Sequence, residues 1–292
     1  MRALILGGQG NLGTQLTQSG RSGGYDIISW DRDDVDLSNW SLAQAKLNSL
    51  SNIEVVINTV AYNAVDAAES EPGKAMADIL NHQLVAHLAG WCRERHLTLV
   101  HYSSDYVFAG DMPEGYREDD EPRPINEYGR SKRAGEISLI AEGEQGLSYY
   151  LIRTSKLFGP RGLSPEAKPS FFDIMLQLAA TSSELKGVDA EVSCFTYTPD
   201  LAQATWQLLA SSADSGIYHI VNSEPVTWYG ALRKLGELAH LTLPIKPISS
   251  GDLPRPAARP QYSVLLMTKL PALRPYYEAL VEYLQNLLDN NK

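Results

Sequence analysis

The sequence predicts an α/β fold: a doubly wound parallel sheet followed by a smaller α/β part. Three observations carry this. A short apolar run, Ala3-Leu4-Ile5-Leu6, leads straight into a glycine-rich turn, Gly7-Gly8-Gln9-Gly10-Asn11-Leu12-Gly13. Strand-like and helix-like stretches then alternate, as in a parallel sheet with helices on both faces. Glu54 to Val60 is nearly all apolar, as expected of a strand buried on both sides.

Residues 3–6 read as the first strand, and 14–19 as the start of a helix. Gly8, Gly10 and Gly13 satisfy G-x-G-x-x-G, and Gly7, Gly10 and Gly13 form a second such series. In the order strand, turn, helix, these glycines let the backbone approach a pyrophosphate while the helix N-terminus faces it. This makes a Rossmann-type dinucleotide site the better interpretation than an ordinary glycine loop. Residues 25–30 read as the second strand, ending at Asp31. An acid about twenty positions past the glycines can accept hydrogen bonds from the adenosine ribose, which favours NAD. Arg32 follows and suits a 2′-phosphate, which favours NADP, so the pair leaves NADH or NADPH open. Asp36-Leu37 fits beside the adenine, although Asp36 also fits as a cap before Ser38.

Asn58, Ala61 and Tyr62 fall at the C-terminal end of the third strand, where open α/β sheets bind ligands. Residues 75–96 read as a helix, and 97–102 as a strand ending in Ser103-Ser104-Asp105. Residues 109–124 are rich in Gly, Pro and acid and read as a loop over the site. Pro124 and Asn126 are start signals for the next helix. Residues 149–153 form another strand. Phe158 to Gly162 marks a break. Helices are expected at 171–180, 197–209, 228–240 and 276–288, a strand at 217–221, and a proline-rich connector at 244–260. The expected division is a dinucleotide-binding domain at 1–155 and 196–222, and a smaller substrate-binding domain at 156–195 and 223–292.

The chain has 292 residues and a formal charge of −10. Length permits a sizeable core. The charge argues against broad binding to nucleic acid or to an anionic membrane. No apolar run reaches membrane-spanning length, and no signal-peptide pattern opens the chain. Cys92 and Cys194 form neither a metal spacing nor a disulfide framework, so a reduced cytoplasmic setting fits and no metal is expected. The charge pattern leaves the oligomer open, with a homodimer as one candidate.

Tyr128 and Lys132 in Glu127-Tyr128-Gly129-Arg130-Ser131-Lys132 are four apart, one helical turn. An ammonium beside a phenol favours the phenolate, so the pair makes a tunable acid/base for an alcohol or ketone oxygen. A serine at the end of a strand, Ser104, can hydrogen-bond that oxygen. Alone each feature is weak; with the glycine turn they indicate a nicotinamide enzyme acting on a carbonyl or alcohol.

The glycine turn, Ser104, Tyr128 and Lys132 resemble the extended short-chain dehydrogenase/reductases. Within these the chain resembles the dTDP-4-dehydrorhamnose reductase family along nearly its whole length. The matching segments are Ala61-Tyr62-Asn63-Ala64-Val65-Asp66 with Glu69, Ser104-Asp105-Tyr106-Val107-Phe108, Tyr116-Arg117-Glu118-Asp119, Pro124-x-Asn126-x-Tyr128-Gly129-x-Ser131-Lys132, Arg153-Thr154-Ser155, Gly216-Ile217-Tyr218-His219 and Arg259-Pro260-x-Tyr262-Ser263-x-Leu265. The resemblance implies reduction of a 4-keto-6-deoxy sugar on a nucleoside diphosphate by NADPH or NADH, in dTDP-rhamnose and polysaccharide biosynthesis. Tyr128 would protonate the sugar oxygen, Lys132 would lower the Tyr128 pKa and hold the nicotinamide ribose, and Ser104 would orient the carbonyl. Gly7, Gly10, Asn11, Leu12, Gly13, Asp31, Arg32, Asp36, Leu37, Ala61 and Tyr62 would join Tyr128 and Lys132 at the cofactor. Ser104, Asp105, Val107, Lys156, Glu191 and Arg259 would meet the substrate, with Arg255 a further candidate for its diphosphate.

The chain departs from the family pattern at Ser104, where Thr is usual, and at Lys156, where Trp is usual. Glu191-Val192-Ser193-Cys194-Phe195-Thr196 replaces Gln-x-Gly-x-Pro-Thr, and Leu266 replaces Asp. Drift at tolerant positions and a changed sugar or nucleotide are both open; the altered charge at Lys156 and Glu191 favours a changed substrate. An epimerase of the same superfamily is one alternative. A non-catalytic scaffold, like the regulatory subunit of methionine adenosyltransferase, is another.

Overall fold

A computed structural model describes residues 1–211 and 213–290. Its strands are β1 (Arg2–Leu6), β2 (Asp26–Trp30), β3 (Val55–Asn58), β4 (Thr98–Ser104), β5 (Tyr149–Thr154), β6 (Leu157–Phe158), β7 (Leu185–Val188), β8 (Val192–Ser193), β9 (Thr196–Tyr197), β10 (Gly216–His219), β11 (Asn222–Ser223), β12 (Val226–Thr227), β13 (Ile245–Ile248) and β14 (Leu273–Pro275). Its α-helices are α1 (Asn11–Ser22), α2 (Trp40–Leu47), α3 (Gly73–Asp78), α4 (Leu84–Glu94), α5 (Glu127–Glu144), α6 (Phe171–Ala179), α7 (Thr198–Ala210), α8 (Trp228–Leu238) and α9 (Tyr276–Asn290). One parallel sheet, in the order β10-β5-β4-β3-β1-β2, organises the molecule.

Both faces of this sheet are covered. Leu4, Leu6, Val56 and Leu99 pack with α2, α4 and α5 on one side. Ala3, Ile5, Ile57 and Val100 pack with α1 and α7 on the other. The apolar alternation within β1 and β3 therefore faces apolar neighbours whichever way it points, the reason such strands read as continuous runs. A separate core of Phe158, Phe172, Phe195, Leu232 and Tyr283 joins α6, α8 and α9 with β6, β7 and β9.

Three expectations change. The helix expected at 75–96 is interrupted by a π-helical turn at Ile79–Gln83. The wide turn points Asn81 at the β3 loop and at α5. Its amide accepts from the Tyr62 N–H (2.8 Å) and donates to the Tyr62 carbonyl and the Ser131 hydroxyl (both 3.0 Å). Second, residues 109–124 do not lie over the cleft. Tyr116 stacks on Phe108 at 4.2 Å and pairs through its backbone with Val264 and Leu266 (both 2.8 Å), so the loop is drawn away to brace the C-terminal segment. Third, the proline-rich connector contains β13, which pairs in parallel with β7.

α5 is fixed by a buried ion pair. Arg153, at 1% exposure, donates through Nε and Nη2 to the two oxygens of Glu136, at 0%, both at 2.9 Å. Desolvation alone would raise Glu136, but Arg153 holds its carboxyl below the ordinary range. Removing Arg153 would leave the buried Glu136 carboxylate with Arg133 (3.1 Å) as its remaining ion-pair partner and its other oxygen without one. Arg153→Met is therefore expected to lower unfolding free energy by roughly 3 kcal/mol, read as a shifted urea midpoint with an unchanged slope.

Candidate active site

A cleft of about 920 Å³ opens at the C-terminal ends of the sheet strands. It spans the β1–β3 junction, where the strand order reverses and α/β sheets place their ligands. Gly7, Gly10, Asn11, Leu12, Gly13, Asp31, Arg32, Asp36, Leu37, Ala61 and Tyr62 all line it.

The glycine turn is fixed by close packing. A Cβ on Gly13 would lie 2.1 Å from the Gly7 carbonyl oxygen, so α1 leaves the turn at a distance only glycine allows. Gly10 caps α1 without a side chain, which leaves the first-turn amides facing the cleft. Uncapped amides at a helix N-terminus suit a pyrophosphate. The Asp31 carboxylate lies beside the turn and accepts from the Gln9 N–H at 2.9 Å. Asp36 accepts from the Ser38 N–H (2.9 Å) and hydroxyl (2.6 Å) in a local turn and lines the cleft; α2 is capped by Asn39, not by Asp36. The Asn11 amide is committed elsewhere: it accepts from the Gly162 N–H (2.8 Å) and donates to the Lys168 carbonyl (2.9 Å). The side chain is thus held against the 162–168 segment, and the backbone N–H of the first helical turn is what suits a phosphate.

At the other end of the cleft stand Ser104, Tyr128 and Lys132. Local capping sets the start of α5. Asn126 accepts from the Gly129 N–H at 2.7 Å, and Glu69 accepts from the Glu127 N–H at 2.9 Å. A Cβ at Gly129 would lie 2.1 Å from the Tyr106 carbonyl oxygen, so α5 rests directly on the turn after β4. Tyr128 thereby comes to Ser104. Burial pushes the Tyr128 phenol up to about 12, and hydrogen bonding with Ser104 works against this.

Lys132 is buried at 2% exposure and donates to the Tyr102 carbonyl at 2.7 Å. Burial lowers its ammonium to about 8, with Glu136 opposing. The expected lowering of Tyr128 by Lys132 is thus not the governing effect: desolvation of the phenol is larger, and a backbone carbonyl engages the ammonium.

Asp105 ties three segments together. It accepts from Ser104 (3.0 Å), Ser155 (2.9 Å) and Ser263 (2.7 Å), at the ends of β4 and β5 and in the C-terminal segment. A serine hydroxyl has one proton. To donate to a substrate oxygen, Ser104 must rotate that proton away from Asp105.

The wall beyond them differs from expectation. Lys156 lines the cleft, in a left-handed backbone conformation (φ 36°). Its ammonium meets the Ser193 hydroxyl and lies 4.7 Å from the Trp228 ring. Three residues expected at the substrate do not line the cleft. Glu191 turns behind the Trp228 indole, accepting from its Nε1 (3.0 Å), from Ser250 (3.0 Å) and from Arg255, whose guanidinium neutralises its buried charge. Arg259, expected at a diphosphate, instead grips Asp66 through two nitrogens (3.0 and 2.8 Å) and so ties the 254–260 segment to the β3 loop. Val107 is fully buried against Phe108, Cys194 and Leu265. Trp228, Glu166 and Lys168 line the cleft without having been anticipated. Nothing in local spacing marks them, because they reach it from α8 and from the segment before α6.

A family model described as the RmlD substrate binding domain matches residues 1–289. The chain is 34% identical over 291 residues to the dTDP-4-dehydrorhamnose reductase of Streptomyces griseus, covering 96% of this chain and 92% of the relative. It is 32% identical to the spore coat polysaccharide biosynthesis protein SpsK of Bacillus subtilis, covering 97% of each. Among solved structures, the dTDP-4-dehydrorhamnose reductase of Bacillus anthracis in complex with NADP superposes with a TM-score of 0.89 at 30% identity, over 98% of this chain and 99% of that one.

The lowered Lys132 pKa carries a sign. Between about 8, its folded value, and 10.5, its ordinary value, the unfolded chain binds more protons than the folded one. Lys132 therefore adds a term to stability that rises with pH across this window, at roughly 1 kcal/mol per unit. Urea unfolding of wild type and Lys132→Met at pH 8 and 10 should show that slope reduced in the variant.

Proposed function

The chain belongs to the RmlD substrate binding domain family, and we propose that it reduces the 4-keto group of a nucleotide-linked 4-keto-6-deoxy sugar with NAD(P)H, forming dTDP-L-rhamnose or a related deoxysugar. It is an NAD(P)-dependent oxidoreductase acting on a nucleotide sugar. One observation carries the assignment: the glycine turn with its uncapped helix and the Ser104, Tyr128, Lys132 group line a single cleft.

The bound dinucleotide supplies hydride. Orientation and proton supply are the work of the chain. Tyr128, raised to about 12, is protonated at neutral pH, the state required of an acid in a reduction. It gives its proton to the sugar oxygen. Lys132, at about 8, remains largely charged at pH 7 and is held on the Tyr102 carbonyl, one helical turn from Tyr128. Ser104, freed from Asp105 by rotation, orients the carbonyl. Trp228 and Lys156 form the wall met by the sugar. Holding the reactants in one geometry is the larger part of such catalysis.

The proposed division into 1–155 with 196–222, and 156–195 with 223–292, accords with the separate core of α6, α8 and α9. Among the described residues no helix is long and apolar enough to cross a membrane. Two buried free thiols accord with a reducing compartment, which we take to be the cytoplasm.

With dTDP-4-keto-6-deoxy-mannose, wild type is expected to consume NADPH or NADH stoichiometrically, followed at the reduced nicotinamide absorbance. Tyr128→Phe should lower kcat by roughly 10²- to 10⁴-fold and leave dinucleotide affinity within a few-fold. Turnover without net nicotinamide consumption would indicate an epimerase. Binding without turnover on any nucleotide sugar would indicate a scaffold.

A further inference from the structure

The segment before α6 lies across the glycine turn as a strap. Hydrogen bonds to the turn and to α1 hold it, among them Leu163 N–H to the Thr14 hydroxyl (3.4 Å). Gly162 donates to the Asn11 side chain (2.8 Å), Asn11 donates to Lys168 (2.9 Å), Ser164 donates to the Gln9 carbonyl (2.9 Å), and within the strap Arg161 donates to Ala167 (3.0 Å). Asn11 and Gln9 thus anchor the segment on both sides of Glu166. The Glu166 carboxylate is carried to the lip of the cleft, where it forms an ion pair with the Arg32 guanidinium. Arg32 directly follows Asp31, the acid beside the glycine turn.

This arrangement bears on the one chemical difference between the two candidate dinucleotides, the ribose 2′-phosphate. An arginine next to the ribose acid is the group suited to that phosphate. Here it already has an anionic partner. A 2′-phosphate would have to displace Glu166 from Arg32 or accept a carboxylate as its neighbour, and like charges at that range repel. A ribose with a free 2′-hydroxyl does neither.

We propose that Glu166 is a specificity-determining residue that lowers the affinity of this chain for a dinucleotide bearing a 2′-phosphate, by occupying Arg32. The proposal rests on the dinucleotide assignment of the cleft. Arg32 and Glu166 are both well exposed, at 74% and 64%, so the pair is weak and the effect is a modest bias between ligands. Its origin in the strap also makes it a property of this fold contact, since Glu166 and Arg32 are far apart in sequence.

The test is calorimetric titration of the full chain with NADPH and with NADH, without sugar, in low salt. Glu166→Gln should tighten NADPH by about five-fold and leave NADH within about two-fold. The gain should shrink when salt is raised, because exposed charges are screened. In an Arg32→Ala background, where Glu166 has no guanidinium to occupy, Glu166→Gln should change NADPH affinity by less than about two-fold. An unchanged NADPH affinity in Glu166→Gln overturns the proposal. So does an equal gain for both dinucleotides, which would point to a loosened strap, or a gain that persists without Arg32. Wild type that binds neither dinucleotide would instead defeat the assignment of the cleft itself.

Discussion

The bidentate pair between Arg153 and Glu136 is the constraint on which the chemistry depends. Arg153 is the last residue but one of β5, and Glu136 lies one turn beyond Lys132 on α5. Both are almost without solvent, and Glu136 holds Arg153 with both oxygens while also accepting from the more exposed Arg133 (3.1 Å). The pair fixes how far α5 slides along the sheet. Gly129, pressed on the Tyr106 carbonyl, fixes how close it comes. Together they set Tyr128 beside Ser104, and Lys132 beneath the carbonyl that ends Tyr102.

A second layer of buried polar contacts carries this geometry outward. Asp105 gathers three serine hydroxyls from segments far apart in sequence. Asn81 gathers the β3 loop and α5. Arg259 and Asp66 join the C-terminal connector to the same loop. Each contact satisfies a group that would be costly to bury unpaired. The result is a cleft whose polar lining is largely spoken for by the protein itself. Ser104 and Asn11 have to be read with their existing partners.

Much of the fold was legible in the chain. Apolar runs with period-breaking glycines gave β1, β3 and the turn between β1 and α1, because those features are local. Asn126 marked the start of α5 through its cap. The interruption at Ile79–Gln83 was not legible, since its pattern of apolar residues remains helical while its geometry is set by Asn81 and its distant partners. The loop at 109–124 has the composition of a lid, yet Tyr116 buries its ring against Phe108 and takes the loop elsewhere.

The sequence by itself marked the glycine turn and the Ser104, Tyr128, Lys132 group, all of which line the cleft. Both rest on short-range geometry: a turn that only glycine permits, and two side chains one helical turn apart. Tertiary structure decided the wall of the cleft beyond Ser104 and the balance of charge around it. Glu191, Arg255 and Arg259 are polar residues of the sort that bind phosphates and sugars, but a charged group pairs with whatever the fold brings nearest. Here that is another side chain of the same protein, while Trp228 and Glu166, which no local pattern marks, come to line the cleft. Which charges are consumed internally and which remain free is fixed by long-range contact, and no spacing along the chain records it.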